Sequence, residues 1–513
     1  MKKRIISFFM FVLLIFSVNV VALAGDKNTL VVAQGSEPKS LDPVASNDVP
    51  SHRVYLHIYD TLLQRDEKGN LVPGLAESWE QVDPLTIVLH LRKGVKFHNG
   101  DNFTAKDVVF SLNRAKESPA VMTFFKDIKN VEVVDDYTVK IITDKPFGPL
   151  LGYLAHKGGC ILSENAVKTA GDAYAQFPIG TGPYKFVEWR SGDRVVLKAN
   201  PDYFGGKPAT ENLVFRVISE GTNRTIALET KEVDLAYDIE PMDVQFIKQN
   251  NEIKLIEQPS ISISYLGFNT QKPPFDKKEV RQAIAYAIDI PSIINAVYLG
   301  AATEADSPVP AGVPGYTKTG KKYEHDIAKA KELLAKAGYP NGFKAKIALN
   351  DNNIRKDTAV ILQDQLKQIG IDLEVEVIEW GAYLDKLSRG EQDMFILGWV
   401  SSPDCDAALY SLFHSSNKGS AGNRTFYENK RVDELLDQGR VNTDLEKRKD
   451  FYKETQEIIQ EDIPMFVMVY PYTNAAMQKN IKNFNLDLEN EHRLYKVSKG
   501  DTSVSYTHLR AHE

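Results

Sequence analysis

This 513-residue chain is poor in the residue types that most often carry catalysis or hold metal ions, with two cysteines, ten histidines and four tryptophans in all. No H-E-x-x-H, which sets two metal-binding histidines on one helical face, and no G-x-S-x-G, which presents a nucleophilic serine, occurs anywhere. Gly315 to Lys321 mimics a phosphate loop, but Lys322 stands where a hydroxyl would hold magnesium, and a proline-rich loop precedes it instead of a strand. Low-complexity tracts and internal repeats are missing. Cations are outnumbered 62 to 69, and the net charge of −7 argues against nucleic acid or an anionic bilayer as a partner. With 43% hydrophobic and 26% charged residues, the chain has the apolar material for two or three domains.

What is present begins with an export signal. Lys2, Lys3 and Arg4 precede an apolar run from Ile5 to Val21, and Ala22-Leu23-Ala24 offers a small-x-small cleavage site before Gly25. The expectation is a leader of residues 1–24, removed on secretion; the alternative is retention as a membrane anchor. Loss of its three cations would take the mature net charge to about −10. Cys160 and Cys405 would then lie in a compartment where a disulfide can form. At the other end, SVSYTHLRAHE from Ser503 has no apolar periodicity and is set aside as a non-native-looking tail, counted from 501 to 513.

The most idiosyncratic segment runs from Leu71 to Arg114. Pro73, Gly74, Leu75, Ala76, Ser78 and Trp79 open it, an alternating strand over 85–91 follows, and His98-Asn99-Gly100-Asp101 turns the chain toward a helix starting at Thr104. This string resembles the solute-binding proteins of the oligopeptide, dipeptide and nickel ABC transporter family (family 5), with its P-x-L-A-x-S-W and R-x-G-V-x-F-x-(D/N)-G motifs. Pro178-Ile179-Gly180-Thr181-Gly182-Pro183-Tyr184, Asn200-Pro201-Asp202-Tyr203 and Tyr265-Leu266-Gly267-Phe268-Asn269 resemble further landmarks, while Lys231 stands where relatives place glycine. The likeness spans roughly 30–497. It implies an α/β, two-lobed periplasmic binding protein, cluster C-like with type II topology and an extra domain in the first lobe. Domain I would be 25–60, 178–268 and 470–500, domain II 61–177, and domain III, the second lobe, 269–469, with crossings near Phe268 and Val469. Gly25 occupies the place of a lipobox cysteine, so a periplasmic protein is implied. Cys160 and Cys405 would fall in different lobes as separate thiols.

From 326 onward the pattern needs no resemblance. Asp326 caps a helix with Ile327, Ala330, Leu333, Leu334 and Ala337 on one stripe, stopped by Gly338 and Pro340. Strands are expected at 344–349, 372–378 and 394–397, and helices at 355–369 and 380–387, the first burying Val360, Ile361, Leu362, Leu366 and Ile369. Such alternation predicts parallel strands, with ligands at their carboxyl ends. Two polar clusters sit there: Asn350, Asp351 and Asn352 after Leu349, and Trp399, Ser401, Ser402, Asp404 and Asp406 after Leu397. The first also reads as an ordinary turn. In the second, Ser402 as N-cap, Pro403 at the first helical position and Asp404 in the first turn spell a helix start, whose free amides suit an anion.

The resemblance sharpens the ligand. Dipeptide- and oligopeptide-binding relatives place an ammonium-binding aspartate where this chain has Ser402, and the dipeptide subgroup's carboxylate-binding arginine has no counterpart in Leu349-Asn350-Asp351. Gly398-Trp399-x-Ser401-Ser402-x-x-x-Asp406 with Phe426-Tyr427-x-Asn429-x-x-Val432-Asp433 is similar to the glutathione-binding branch. That implies capture of glutathione, a γ-glutamyl peptide or another short peptide and its delivery to ABC permease subunits, by a monomer that touches the membrane only through the permease, with no nucleic acid, no cofactor, no metal and no catalysis. Arg424 would fork a carboxylate or stand solvated in its loop, and Asp404 or Asp406 would receive the ammonium. Arg53 and Tyr55 are the candidates across the cleft. The alternatives are a general dipeptide- or oligopeptide-binding protein, a nickel-chelate binder for which His414 is the nearest histidine, and, from another class, a secreted hydrolase, which the missing motifs disfavour.

Overall fold

The computed structural model describes residues 26–66, 69–320, 322–419, 422–487, 489 and 492–500. The leader 1–24 and the tail 501–513 lie outside the described residues. No described helix is long and apolar enough to cross a membrane.

The strands in chain order are β1 (Thr29–Gln34), β2 (Leu63–Arg65), β3 (Leu71–Pro73), β4 (Ala76–Asp83), β5 (Thr86–Leu91), β6 (Ile128–Asp135), β7 (Thr138–Thr143), β8 (Tyr184–Arg190), β9 (Arg194–Ala199) and β10 (Asn212–Val217), followed by β11 (Leu235–Tyr237), β12 (Ile253–Pro259), β13 (Ser262–Phe268), β14 (Ala302–Glu304), β15 (Phe343–Asn350), β16 (Ile371–Ile378), β17 (Met394–Val400) and β18 (Met465–Gln478). One twelve-stranded sheet runs β16-β15-β17-β13-β18-β11-β1-β10-β9-β8, with β12 and β14 also on β18. β4, β5, β7 and β6 form a separate antiparallel sheet, packed under the helix Ala105–Glu117.

β18 joins the two lobes. Its first half pairs with β13 and β14, up to Pro471 opposite Ala302, and its second half pairs with β12 from Tyr472 opposite Pro259. The crossings therefore fall at 259–262 and 470–472. The expected crossing near Phe268 is displaced by almost a strand, because β13 is already paired with β17 from Ser262 onward. β15 is parallel to both β16 and β17, as the alternation predicts, so Asn350 and Val400 end on the same edge.

Local chemistry accounts for most element ends. The helix Ile327–Lys336 starts where Asp326 accepts from the Lys329 amide, and the helix Ala105–Glu117 starts at a Thr104/Asp107 capping box. The helix Val49–Tyr55 starts where Asp48 accepts from the Ser51 amide, with Pro50 in the first turn. Two expectations are corrected. On the helix Asn353–Lys367, Val360 is 61% exposed, and the buried stripe is Thr358, Ala359, Leu362, Gln365 and Leu366. The N-cap after β17 is Asp404, not Ser402, since the Asp404 carboxylate accepts from the Asp406 amide and the helix is Cys405–Phe413. Cys160 and Cys405 are separate buried thiols without a disulfide.

Candidate functional site

A cavity of about 380 Å³ lies between the lobes over the two crossings, within the range of small-molecule sites. Ser260, Ser262, Pro471, Tyr472, Thr473 and Asn474 line its floor. The second-lobe wall is the carboxyl edge of β15 and β17 with the starts of the helices Asn353–Lys367 and Trp380–Ser388. The facing wall is the start of the helix Val49–Tyr55, the residues after β1, and Asp238 to Pro241 after β11. Contacts among the described residues cross the gap: Trp380 Nε1 donates to Asp48 Oδ2 at 3.1 Å, Lys39 Nζ meets Asp385 at 2.5 Å, and Asn353 Nδ2 donates to Glu220 Oε1 at 2.7 Å. The lobes are shut.

The second-lobe wall is rich in unused donors. Arg424 is 5% exposed, lines the cavity and has no ion pair among the described residues, and its Nε has no acceptor. Burial pulls its guanidinium down, against the pull of Tyr265, Tyr383 and Asp48. Trp399 Nε1 and Ser401 Oγ are likewise buried without a partner among the described residues. Arg355 adds a second guanidinium, which among the described residues donates to Asn350 Oδ1 at 2.5 Å and lies 5.7 Å from the Trp380 ring centre. Buried polar groups left unpaired in a folded protein mark places where another molecule completes them.

On the opposite wall the charges are largely paired. Arg53 grips Asp238 through two hydrogen bonds of 2.8 and 3.1 Å and lies 4.1 Å over the Tyr237 ring. Arg224 spends its donors on the carbonyls of Ile218, Ser219, Tyr237 and Asp238. Asp48 accepts from the Ser51 amide, Ser46 Oγ and Trp380 Nε1.

Of the residues foreseen from sequence, Asn350, Asp351, Asn352, Trp399, Ser401, Ser402, Arg424 and Arg53 line the cavity. Three do not. Asp404 is held by Arg448 at 2.7 and 2.9 Å, and Asp406, 0% exposed, by Arg440 with the hydroxyls of Tyr153 and Tyr452. Neither carboxylate reaches the cleft, because two arginines from the helices Lys430–Val441 and Leu445–Asp462 draw both inward. Tyr55 is buried among the aromatic residues behind the wall. His414 stacks on Tyr410 with ring centres 4.2 Å apart, away from the cleft. Sequence reasoning missed Arg355, Asp48, Trp380, Asp238 and Glu240. Asp48-Val49-Pro50 carries a helix-start signal that places Asp48 at an N-cap; for the others, no local pattern tells which face of the element meets the gap.

The same architecture is found in known proteins. The model of the bacterial extracellular solute-binding proteins, family 5 (middle region), matches residues 70–420. The glutathione-binding protein GsiB of Escherichia coli O6:K15:H31 is 33% identical over 468 residues, covering 89% of this chain and 91% of that protein. Among solved structures, the periplasmic binding protein DppA of Helicobacter pylori, in complex with the peptide STSA, is 34% identical with a TM-score of 0.88, over 92% of this chain and 98% of that one. NikZ of Campylobacter jejuni, in complex with Ni(L-His), is 28% identical with a TM-score of 0.83, over 92% and 100%. All three are binding proteins rather than enzymes. With a shut interlobe cavity and a family model spanning most of the chain, this protein belongs to the bacterial extracellular solute-binding proteins of family 5.

Proposed function

We propose that this chain captures a short peptide with a free carboxylate, glutathione or a γ-glutamyl peptide foremost, and hands it to the permease of an ABC importer. The reading includes export through the leader 1–24, a monomer in the periplasm, and the domain division given above with its first crossing taken at 259–262. The observation that carries it is Arg424, a buried guanidinium on the cavity wall with no ion pair among the described residues. A buried charge is tolerated when a partner neutralises it, and an arginine fork matches a carboxylate in geometry as well as charge. Trp399 Nε1, Ser401 Oγ and Arg355 extend the donor surface, with Ser402, Asn350, Asp351, Asn352 and Arg53 at its margins. Glutathione carries two carboxylates and a net negative charge, which suits a wall richer in free donors than in free acceptors.

Binding is mechanical. A ligand touching both lobes favours the shut form by the difference between its affinities for the shut and open forms, and the shut form is what a permease would read. Isothermal calorimetry of the full chain with glutathione, its glycine-amide form and Ser-Thr-Ser-Ala tests this. Tight binding of glutathione with at least tenfold weaker binding of the amide supports the reading; equal affinity for acid and amide refutes the carboxylate role. His52 and His156 both line the cavity with ring centres 6.1 Å apart, so a nickel–histidine chelate belongs in the same titration, and preference for it over every peptide would select that second reading.

A further inference from the structure

The donors of the cavity face a ligand's carboxylate; its ammonium needs an acceptor, and the second-lobe acids Asp404 and Asp406 are consumed by Arg448 and Arg440. The cavity has five carboxylates to choose from. Asp48 is filled by three protein donors. Asp238 is gripped by Arg53, Asp351 by Lys356, and Glu489 by Lys157. Glu240 stands apart: it is 6% exposed, lines the cavity, and its carboxylate accepts no hydrogen bond from any described residue. Its sequence position explains why. Glu240 is the N-cap of the helix Pro241–Gln249 but makes no capping bond. It folds inward against Gly221 instead, where a side chain at that position would come within 2.0 Å of Glu240 Oε1. Arg224, the cation paired with it among the described residues, is 3.9 Å away with its donors committed to backbone carbonyls. An unmet acceptor on one wall thus faces unmet donors on the other.

We propose that Glu240, flanked by Asp238, is the acceptor for the cationic group of the ligand, so that the cargo spans the cleft with its ammonium on the first lobe and a carboxylate on Arg424 of the second. This rests on the peptide-binding reading and fixes the polarity of the ligand within it. The groups facing Glu240 are Arg224 and Glu220 from the neighbouring helix and its cap, Asp238 with its partner Arg53, and Asp243 on its own helix, while Asn353 reaches Glu220 from across the gap. Acids outnumber bases in this set, as an ammonium site requires. Burial, with the neighbouring acids Asp243, Glu220 and Asp238 and against the pull of Arg224, pushes the Glu240 carboxyl up to about 7. An entering cation favours the ionised form, so capture at neutral pH would expel about half a proton per ligand.

Calorimetry on the full chain tests the proposal with glutathione and Ser-Thr-Ser-Ala, each paired with its N-acetyl form. In the wild type, N-acetylation is expected to weaken binding about 30-fold or more, the free-amine affinity to tighten about fivefold from pH 6 to 7, where the peptide amine stays charged, and the heat at pH 7 to depend on the buffer's ionisation enthalpy. Glu240→Gln should cut the N-acetyl penalty below about threefold and remove both the pH and buffer dependence. Glu252→Gln, the same charge change at an exposed position outside the cavity lining, should leave them in place. An unaltered preference of folded Glu240→Gln for the free amine overturns the proposal, and so does a wild-type heat independent of buffer. Failure of the folded wild type to bind either peptide overturns the peptide reading and this one together.

Discussion

Arg440 is the most consequential single residue outside the cavity. From the helix Lys430–Val441 it reaches Asp406 at 3.0 Å on its own lobe, and Asp127 at 2.7 Å and the Thr123 carbonyl at 2.9 Å on the four-stranded unit, with its guanidinium carbon 3.3 Å over the Tyr410 ring. The Gly148 amide donates to its carbonyl at 2.9 Å, so backbone and side chain both bridge the two units. Arg440→Met would keep the bulk and strand Asp406, fully buried, with only tyrosine hydroxyls. Breaking one side of such a pair costs about 3–5 kcal/mol, roughly a fifth or more of a typical ~5–15 kcal/mol stability. Asp406→Asn alone leaves Arg440 its Asp127 bond and should cost less, about 2–3 kcal/mol. In the double mutant the charges leave together, and the loss should fall short of the sum by at least ~1.5 kcal/mol. Urea unfolding with a constant m-value measures all three changes. Additivity within ~0.5 kcal/mol, or a loss below ~1 kcal/mol for Arg440→Met, would refute the claim that this network is a coupled buried unit.

Arg424→Gln should weaken peptide binding about 10- to 100-fold, while the melting temperature stays level or rises, because an unpaired buried charge is removed. Trp380→Phe deletes the indole donor to Asp48 and should weaken every ligand alike, by about fivefold, with a more open envelope in solution scattering; a selective loss would contradict a closure role. His57 is buried beside Arg493, and its pKa is pulled down to about 3. The unfolded chain binds that proton below about pH 6.5, so stability is full above 6.5 and falls by about 1.4 kcal/mol per pH unit from there toward 3. His57→Gln, whose amide can still accept from the Leu494 amide as His57 Nε2 does at 2.9 Å, should flatten that slope in melts between pH 7 and 5. Gly221→Ala places a methyl against Glu240 and should reduce the free-amine preference without abolishing folding.

Much of the fold was legible because its signals are local. The Asp326 cap, the stripe from Ile327 to Leu334 and the stop at Gly338 each act within one turn, and the structure places that helix at Ile327–Lys336. The parallel edge that brings Asn350 and Val400 together followed from strand and helix alternation alone. Less was legible where distant partners decide. Val360 fits an apolar stripe by spacing yet points to solvent, since Thr358 and Gln365 are satisfied inside by the Ile354 carbonyl and by Ser292. Asp404 and Asp406 sat at the right strand end with the right charge, and arginines some 34 to 44 residues onward removed both from the site. Glu240 was invisible for the converse reason: nothing nearby says that it lacks a partner.

The diversion of those two aspartates shapes the chemistry of the cleft. A carboxylate on the second-lobe wall would sit beside Arg424 and compete with the ligand's own carboxylate; satisfying Asp404 and Asp406 internally leaves that wall cationic and confines the acceptor to the first lobe. A ligand then bridges the lobes by opposite charges at opposite walls, so that closure strengthens both contacts at once. Ser402→Asp tests this separation directly, because Ser402 lines the cavity on the second-lobe side. If polarity is set as argued, the new carboxylate weakens glutathione about tenfold or more by opposing its negative charge, and in the Glu240→Gln background it restores a preference for the free amine from the other wall. Should Ser402→Asp bind glutathione as tightly as the wild type, the second-lobe wall is not the carboxylate side, and the orientation inferred for the cargo fails with it.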